Sequence, residues 1–180
     1  MSVPVLPLRN MAERHRGLTH GKAETFFEAA CVCLDRHHAS PTQFSIENRG
    51  AVLDTIVQWE APDERVRAAY ANKIDTTEEG AYGCVIAAAE LSERLYAVRR
   101  AETGTGADYY LGPPGEELDD LEACLRLEVS GTDSPSRAAV DRRLREKIDQ
   151  ARRGNSNLPA MAGVVGFQVR LILLEGVRGS

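Results

Sequence analysis

A run of alternating apolar and polar residues at positions 122–130 constrains the fold of this chain more than any other stretch. Residues two apart share a face of an extended strand, so the alternation predicts a β-strand with one apolar and one polar face. The apolar face comprises Ala123, Leu125, Leu127 and Val129, and the polar face comprises Glu122, Cys124, Arg126, Glu128 and Ser130. The sequence GTDSPS then ends the strand. The chain is therefore expected to contain a β-sheet that packs one side against a core.

Helical and strand patterns occupy most of the remaining chain. A helix is predicted at about 136–153, because its apolar residues recur at helical spacing as one stripe, formed by Val140, Leu144, Ile148 and Ala151. The other predicted helices are 22–37, a segment from Asp63 to Ile74, and 76–95, and the other predicted strands are QFSIEN, VLDTIVQW, YAVRRAE, ADYYLG and one or two in MAGVVGFQVRLILLEGV. The turn residues Asn48, Arg49 and Gly50 predict a hairpin of the first two strands. The predicted fold class is α/β, with a mixed sheet flanked by helices.

The chain is long enough, at 180 residues, for one compact domain with its own hydrophobic core. We expect residues 1–75 to form a helical and hairpin extension that packs on an α/β core at 76–180. Apolar residues at 43% and charged residues at 27% are ordinary globular values. No apolar run approaches the roughly 18 to 20 residues that span a bilayer, and the first residues lack a secretory signal pattern. A cytoplasmic protein without a membrane segment is expected.

The four cysteines are too sparse and too irregularly spaced to suggest a disulfide framework. Cys31, Cys33, His37 and His38 leave a zinc site open, because Cys33 and His37 have the i, i+4 spacing that places two ligands on one helical face. No second ligand pair follows at a recognisable spacing. Core cysteines beside a His-rich helix end are therefore the favoured interpretation.

The formal net charge of −5 argues against a protein that coats nucleic acid by bulk attraction alone. The predicted helix at 136–153 is nevertheless rich in basic residues, including Arg142, Arg143 and Arg145. Two interpretations stay open for this helix. It is either a solvated face with salt-bridging charges or a local surface for nucleic acid.

Two acidic residues, Asp108 and Glu128, fall on the polar faces of two apparently neighbouring strands. The connector between the strands, at 112–121, is rich in Pro, Gly and acid, which predicts an exposed loop. Carboxylate oxygens are the hard ligands that Mg²⁺ prefers, so the pair predicts a divalent-metal site. The simpler alternatives are a polar hairpin end for Asp108 and a cross-sheet arginine partner for Glu128.

The predicted order of helix, strand, strand with Asp, strand with Glu, helix and strand resembles the core of the PD-(D/E)XK superfamily, the restriction-endonuclease-like fold. The resemblance covers roughly 76–169. It implies that Asp108 and Glu128 are the family's first two acids and that Glu79, on the preceding helix, is a candidate third. Glu79 also fits a capping box with Thr76. Ser130 stands where the family has a lysine.

Ser130 cannot supply the positive charge that a lysine two residues after Glu128 would bring to a metal-bound water. Either Lys147 or Gln150 on the following helix has taken that role, or the site is degenerate. The resemblance thus implies a Mg²⁺- or Mn²⁺-dependent nuclease-like protein that hydrolyses DNA phosphodiesters.

Two alternatives to that function stay open. One is an inactive module of the same fold that binds nucleic acid or a protein partner in a larger, defence-type assembly, or that forms a homo-oligomer. The other is a metal-dependent enzyme that acts on a small phosphorylated molecule.

Overall fold

The computed structural model describes residues 2–115 and 120–177, and within these ranges seven strands form a single mixed sheet. The helices are α1 (His20–Asp35), α2 (Glu64–Ala69), α3 (Lys73–Glu93) and α4 (Arg137–Arg153). The strands are β1 (Thr42–Asn48), β2 (Ala51–Val57), β3 (Tyr96–Arg100), β4 (Tyr109–Gly112), β5 (Leu125–Thr132), β6 (Ala160–Gly166) and β7 (Leu171–Val177). The strand order across the sheet is β2-β1-β7-β6-β5-β4-β3. The chain is therefore a mixed α/β protein, as predicted.

Helices cover both faces of this sheet. The helices α1 and α3 pack on one face, where Leu127 and Val129 of β5 join the larger apolar core. The helix α4 packs on the other face, and its apolar stripe meets β6 and β7 in a second core. Because α4 connects β5 to β6 and these strands are parallel, the segment 125–166 forms one β-α-β unit. One apolar face of β5 thus looks into the larger core, and its other face, which carries Glu128, lies under α4.

Several predicted elements are confirmed. The helix α4 begins and ends within a residue of its predicted bounds, and Val140, Leu144 and Ala151 of its stripe are buried. The hairpin of β1 and β2 turns through Arg49 and Gly50, which both adopt positive φ angles, of 51° and 82°. Of the predicted exposed loop, residues 113–115 are exposed, Gly112 is a buried strand residue, and positions 116–119 lie outside the described residues.

The start of α3 differs from the prediction. The predicted helix from Asp63 ends early, at Ala69, and α3 begins at Lys73 because the Asn72 side chain caps it by accepting hydrogen bonds from two backbone N–H groups. Thr76 lies inside the first turns of α3 and donates its hydroxyl to the Tyr70 carbonyl at 2.9 Å. The predicted capping box of Thr76 with Glu79 is therefore wrong.

The hairpin near the N-terminus is part of the main sheet. The strand β1 pairs in parallel with β7, so residues 42–57 extend the sheet that the later strands build. The helix α3 begins at Lys73, before the boundary expected at residue 76. None of the described helices is long and apolar enough to cross a membrane.

The segment before α1 touches both outer strands of the sheet. At one edge it exchanges hydrogen bonds with Ile56 of β2 through Pro4 and Leu6. At the other edge the Gly17 N–H donates to the Ala97 carbonyl of β3. A side chain has no room at position 17, because a Cβ there would lie 2.5 Å from the Val98 carbonyl carbon.

Candidate functional site

The candidate site lies where β4 begins beside β5. Pairing between the two strands stops at Tyr109 and Leu127. The residue before β4, Asp108, continues the ladder with its backbone N–H, which donates to the Leu127 carbonyl at 2.7 Å. Its side chain then takes the place of a strand, because Asp108 Oδ2 accepts the Val129 backbone N–H at 2.8 Å. The Asp108 carboxylate is thus fixed at the open edge of β5.

Two further side chains contact Asp108. The Tyr82 hydroxyl, from α3, donates to Asp108 Oδ1 at 3.0 Å. Arg100, the last residue of β3, donates through Nη1 to the Asp108 carbonyl and lies 3.4 Å from Oδ1. The Arg100 guanidinium also stacks over two rings, with its carbon 5.2 Å from the Tyr82 centroid and 5.1 Å from the Tyr109 centroid. Three elements therefore meet at this carboxylate.

Glu128 lies on the face of β5 that α4 covers, opposite the face that carries Leu127 and Val129. Its side chain is 1% exposed. Lys147 Nζ donates to Glu128 Oε2 at 3.1 Å, and Gln150 Nε2 donates to Oε1 at 3.1 Å. Lys147 Nζ also donates to Gln150 Oε1 at 3.1 Å, which closes a triangle of three side chains. Lys147 and Gln150 are three residues apart, and this helical spacing directs both towards the strand.

The electrostatics of Glu128 are unfavourable to its charge. Burial raises the pKa of the Glu128 carboxyl above its ordinary value, and the nearby negative charge of Asp108 raises it further. The positive charges of Lys147 and Arg100 oppose this rise. The site therefore holds two interacting carboxylates and two cations. Burial and Asp108 outweigh the two cations, so the pKa of Glu128 stays above its ordinary value.

Sequence reasoning also selected Ser130 and Glu79 for this site. Ser130 is half-buried and lies two residues after Glu128 on the same strand face, as expected. The charged groups that act on Glu79 are Lys22 and two acidic neighbours on α3, rather than Asp108 or Glu128, and burial is the main cause of its raised pKa. The structure thus brings Glu128 together with Lys147 and Gln150, but it does not bring Glu79 to them.

The three arginines selected on α4 differ in their position relative to the triangle. All three are exposed. Arg143 precedes Lys147 by four residues and Gln150 by seven, so helical geometry puts it on their side of the helix. Arg142 and Arg145 fall on the outer side. Only Arg143 is therefore placed to extend the site along α4.

Three further residues shape the site and were not predicted from the sequence, namely Tyr82, Arg100 and Arg126. Arg126 is 6% exposed and donates to three backbone carbonyls, in the loop before β4, at the end of α4 and in the loop before β6. The strand alternation already placed Arg126 on the same face as Glu128, which was the available signal. Nothing local marks Tyr82 or Arg100, because their roles depend on how β3 and α3 meet β4.

Asp108 and Glu128 are the residues of this site that could hold a metal ion. Among residues 2–115 and 120–177, no group of three or more His, Cys, Asp or Glu side chains could hold a metal ion. Asp108 and Glu128 supply two hard carboxylate ligands whose mutual repulsion a cation would relieve. Both Glu128 oxygens now bond to α4, so an ion would compete with Lys147 for this carboxylate. The chemistry of the two carboxylates is thus compatible with Mg²⁺.

The alternative zinc site is not supported. His37 bonds to Asp133 and His38 to the Phe167 carbonyl, while Cys33 contacts the Thr76 carbonyl. Burial raises the pKa of Cys33 to about 12, which disfavours the thiolate that zinc requires. These side chains therefore serve separate contacts within the fold.

Comparison with known proteins gave no relatives: no family model matches the chain, and no curated protein and no solved structure matches it.

Proposed function

We propose that this protein is a metal-dependent nuclease-like protein that acts on DNA phosphodiesters, with a restriction-endonuclease-like core from α3 to β6. The contact between Lys147 on α4 and Glu128 on β5 carries the proposal. It provides an amine beside the second acid although Ser130 occupies the usual lysine position. The element order α3, β3, β4, β5, α4 and β6, with Asp108 just before β4 and Glu128 on β5, supports the same assignment.

Each site residue has a role in this proposal. Asp108 and Glu128 hold Mg²⁺ or Mn²⁺, which when bound acidifies a water and neutralises charge that develops on the phosphate. Lys147, as an ammonium, would donate to the attacking water or to the phosphate once it leaves Glu128, and Gln150 would keep Glu128 oriented through its amide. Arg143 extends the positive surface along α4 towards the DNA backbone, and Arg142 and Arg145 add charge on the outer side.

The decisive experiment measures Mg²⁺- and Mn²⁺-dependent cleavage of linear and supercoiled DNA. Asp108→Asn, Glu128→Gln and Lys147→Ala should each reduce the rate at least about 100-fold, the scale of a lost catalytic proton-transfer group. Arg152→Ala, which removes an exposed charge on the same helix that pairs with Asp149, is the matched control and should change the rate little. Metal-dependent cleavage that survives both carboxylate substitutions would refute the proposal.

A lysine exchange tests whether Lys147 replaces the missing family residue. In the Lys147→Ala background, Ser130→Lys returns an amine to the same face as Glu128, two residues along the strand. Partial recovery of cleavage is expected from the double variant. If cleavage is not recovered although the double variant folds normally, Lys147 acts through its position on α4 rather than as a movable charge.

A second candidate function is an inactive module that binds DNA or a protein partner. The observation that favours it is the charge balance, since Glu128 pairs with Lys147 and Asp108 pairs with Arg100, so each carboxylate has a protein cation as its partner. This candidate predicts DNA or partner binding that is unchanged by chelation of divalent ions. Turnover by the purified chain alone would exclude it.

A further inference from the structure

Arg100 is a cation held in place at the open edge of β5 yet accessible to a ligand. Its guanidinium is stacked against the rings of Tyr82 and Tyr109, which limits its movement. Its side chain is nevertheless 54% exposed, whereas the Asp108 side chain beside it is 17% exposed. An arginine that is both ordered and half-exposed can bind an anion with little loss of conformational entropy.

Asp108 does not depend on Arg100 for its orientation. The Tyr82 hydroxyl and the Val129 N–H donate to the two carboxylate oxygens at 3.0 and 2.8 Å. The Arg100 contact with Oδ1 is the longest of the three, at 3.4 Å. Arg100 Nη1 also donates to the Asp108 backbone carbonyl, so it is the Oδ1 contact that Arg100 can exchange for one with an anionic ligand while the carboxylate stays fixed.

The positive charge of Arg100 lies at the two-carboxylate site. Arg100 forms an ion pair with Asp108. An anion that approaches these carboxylates is repelled unless a positive charge lies beside them. Arg100 supplies that charge from the β3 side, opposite Lys147 on α4.

We infer that Arg100 binds the phosphodiester of the DNA substrate, with its guanidinium donating to a non-bridging phosphate oxygen beside Asp108. This inference rests on the proposed function, whose site it completes. The planar guanidinium matches the geometry of phosphate oxygens in a way that an ammonium does not. Arg100 would then be the substrate-binding residue on the side of the site facing away from α4.

The test measures equilibrium binding of a short DNA duplex, with Ca²⁺ in place of Mg²⁺, as a function of salt concentration. Arg100→Ala should weaken binding about 10-fold and reduce the slope of log affinity against log salt by about 1, because one phosphate contact is lost. Arg100→Lys keeps the charge, so its salt slope should stay near the wild-type value while its affinity is intermediate. Thermal unfolding of each variant confirms that the fold is retained.

The neighbouring residue provides a matched control. Arg99 is exposed and pairs with Glu102 at 3.3 Å, so Arg99→Ala removes the same charge one residue away from the site. Its affinity and salt slope should stay close to those of the wild type. Equal losses in the Arg99 and Arg100 variants would show a general effect of charge and would overturn the inference, as would an unchanged slope for Arg100→Ala.

The outcomes separate this inference from the proposed function. If the wild-type chain cleaves DNA and Arg100→Ala binds and cleaves normally, the inference fails and the nuclease proposal stands. If the wild-type chain cleaves no DNA but its binding depends on Arg100 as described, the catalytic proposal fails and the phosphate contact stands. A wild-type chain that does not bind DNA would overturn the inference.

Discussion

Two buried glutamates in this protein make similar hydrogen bonds but differ in the direction of their pKa. Glu90, on α3, has a side chain that is 9% exposed, and its carboxylate accepts from Arg14 Nε at 2.6 Å and from His15 Nε2 at 2.7 Å. Glu128, on β5, is 1% exposed and accepts from Lys147 and Gln150. The pKa of Glu90 is lowered, whereas that of Glu128 is raised.

The difference comes from what surrounds each carboxylate. Burial favours the neutral form of both, but at Glu90 the hydrogen bonds from His15 and Arg14 outweigh it and lower the pKa. The Ala97 N–H donates to His15 Nδ1, which fixes the tautomer that donates to Glu90. At Glu128 the charge of Asp108 adds to burial. Glu90 is thus a structural anchor, which stabilises the fold through its hydrogen bonds. The charged form of Glu128 is instead destabilised by its surroundings, as is common for carboxylates at functional sites.

The largest effect is expected from removing the anchor. Glu90→Ala leaves the wholly buried His15 without its acceptor, so we expect the free energy of unfolding to fall by about 3 kcal/mol. Chemical denaturation at neutral pH measures this. The control is Glu102→Ala, which removes an exposed partner of Arg99 and should cost at most about 0.5 kcal/mol. Similar losses in both variants would contradict the anchor role.

A smaller loss is expected from removing the amine beside Glu128. Lys147→Met leaves a buried carboxylate next to Asp108, which should cost about 2 kcal/mol at pH 8. The cost should be smaller at pH 5, because Glu128, whose pKa is already raised, takes up a proton more readily without the lysine. Denaturation at the two pH values measures the difference, with exposed Arg145→Met as control. If the loss of unfolding free energy were the same at both pH values, the charge of Glu128 would not be its cause.

Glu128→Gln is expected to destabilise the protein less than Glu90→Gln does. The amide removes a charge that burial and Asp108 disfavour, but its NH2 group replaces an oxygen that accepts from Lys147 or Gln150, so the free energy of unfolding should change by less than about 1 kcal/mol at neutral pH. The matched change Glu90→Gln should lower it more. Thermal and chemical unfolding of the two variants measure this difference. Equal destabilisation by both changes would contradict the prediction.

The finest test is the dependence of stability on pH. The stabilisation from Glu90, whose pKa is lowered in the folded chain, is present above the ordinary carboxyl pKa and is lost as pH falls through the lowered value. The contribution of Glu128, whose pKa is raised, is most favourable below the ordinary value and is lost as pH rises through the raised one. Stability differences between wild type and each glutamine variant should therefore slope in opposite directions.

Much of the Glu128 side of this comparison could be predicted from the sequence. The alternation at 122–130 placed Glu128 on the polar face of a strand, and helical spacing placed Lys147 and Gln150, the candidates for the role of the missing lysine, on one side of the following helix. Both patterns are local, because they follow from the repeat of a single strand or helix. The confirmed bounds of α4 show why such patterns serve well over a long, regular element.

The Glu90 side could not be predicted from the sequence. Glu90 and His15 are separated by 75 positions in the chain, and no local repeat relates them. The same holds for Arg100, which reaches Asp108 across the hairpin of β3 and β4, and for Tyr82, which reaches it from α3. The start of α3 was missed for another reason, since Asn72 and Thr76 are both acceptable caps and only the packing of Tyr70 and α2 decides between them.

The contacts of the N-terminal segment with Ile56 and Ala97 affect how copies of this protein can associate. Outer strands with free N–H and C=O groups recruit further strands from other molecules, which leads to aggregation or strand exchange. Here one stretch of the same chain occupies both outer strands at those points, and Gly17 permits the close approach that this needs. Another molecule must displace that stretch before it can add a strand there. The segment before α1 therefore disfavours association of copies through the edges of the sheet.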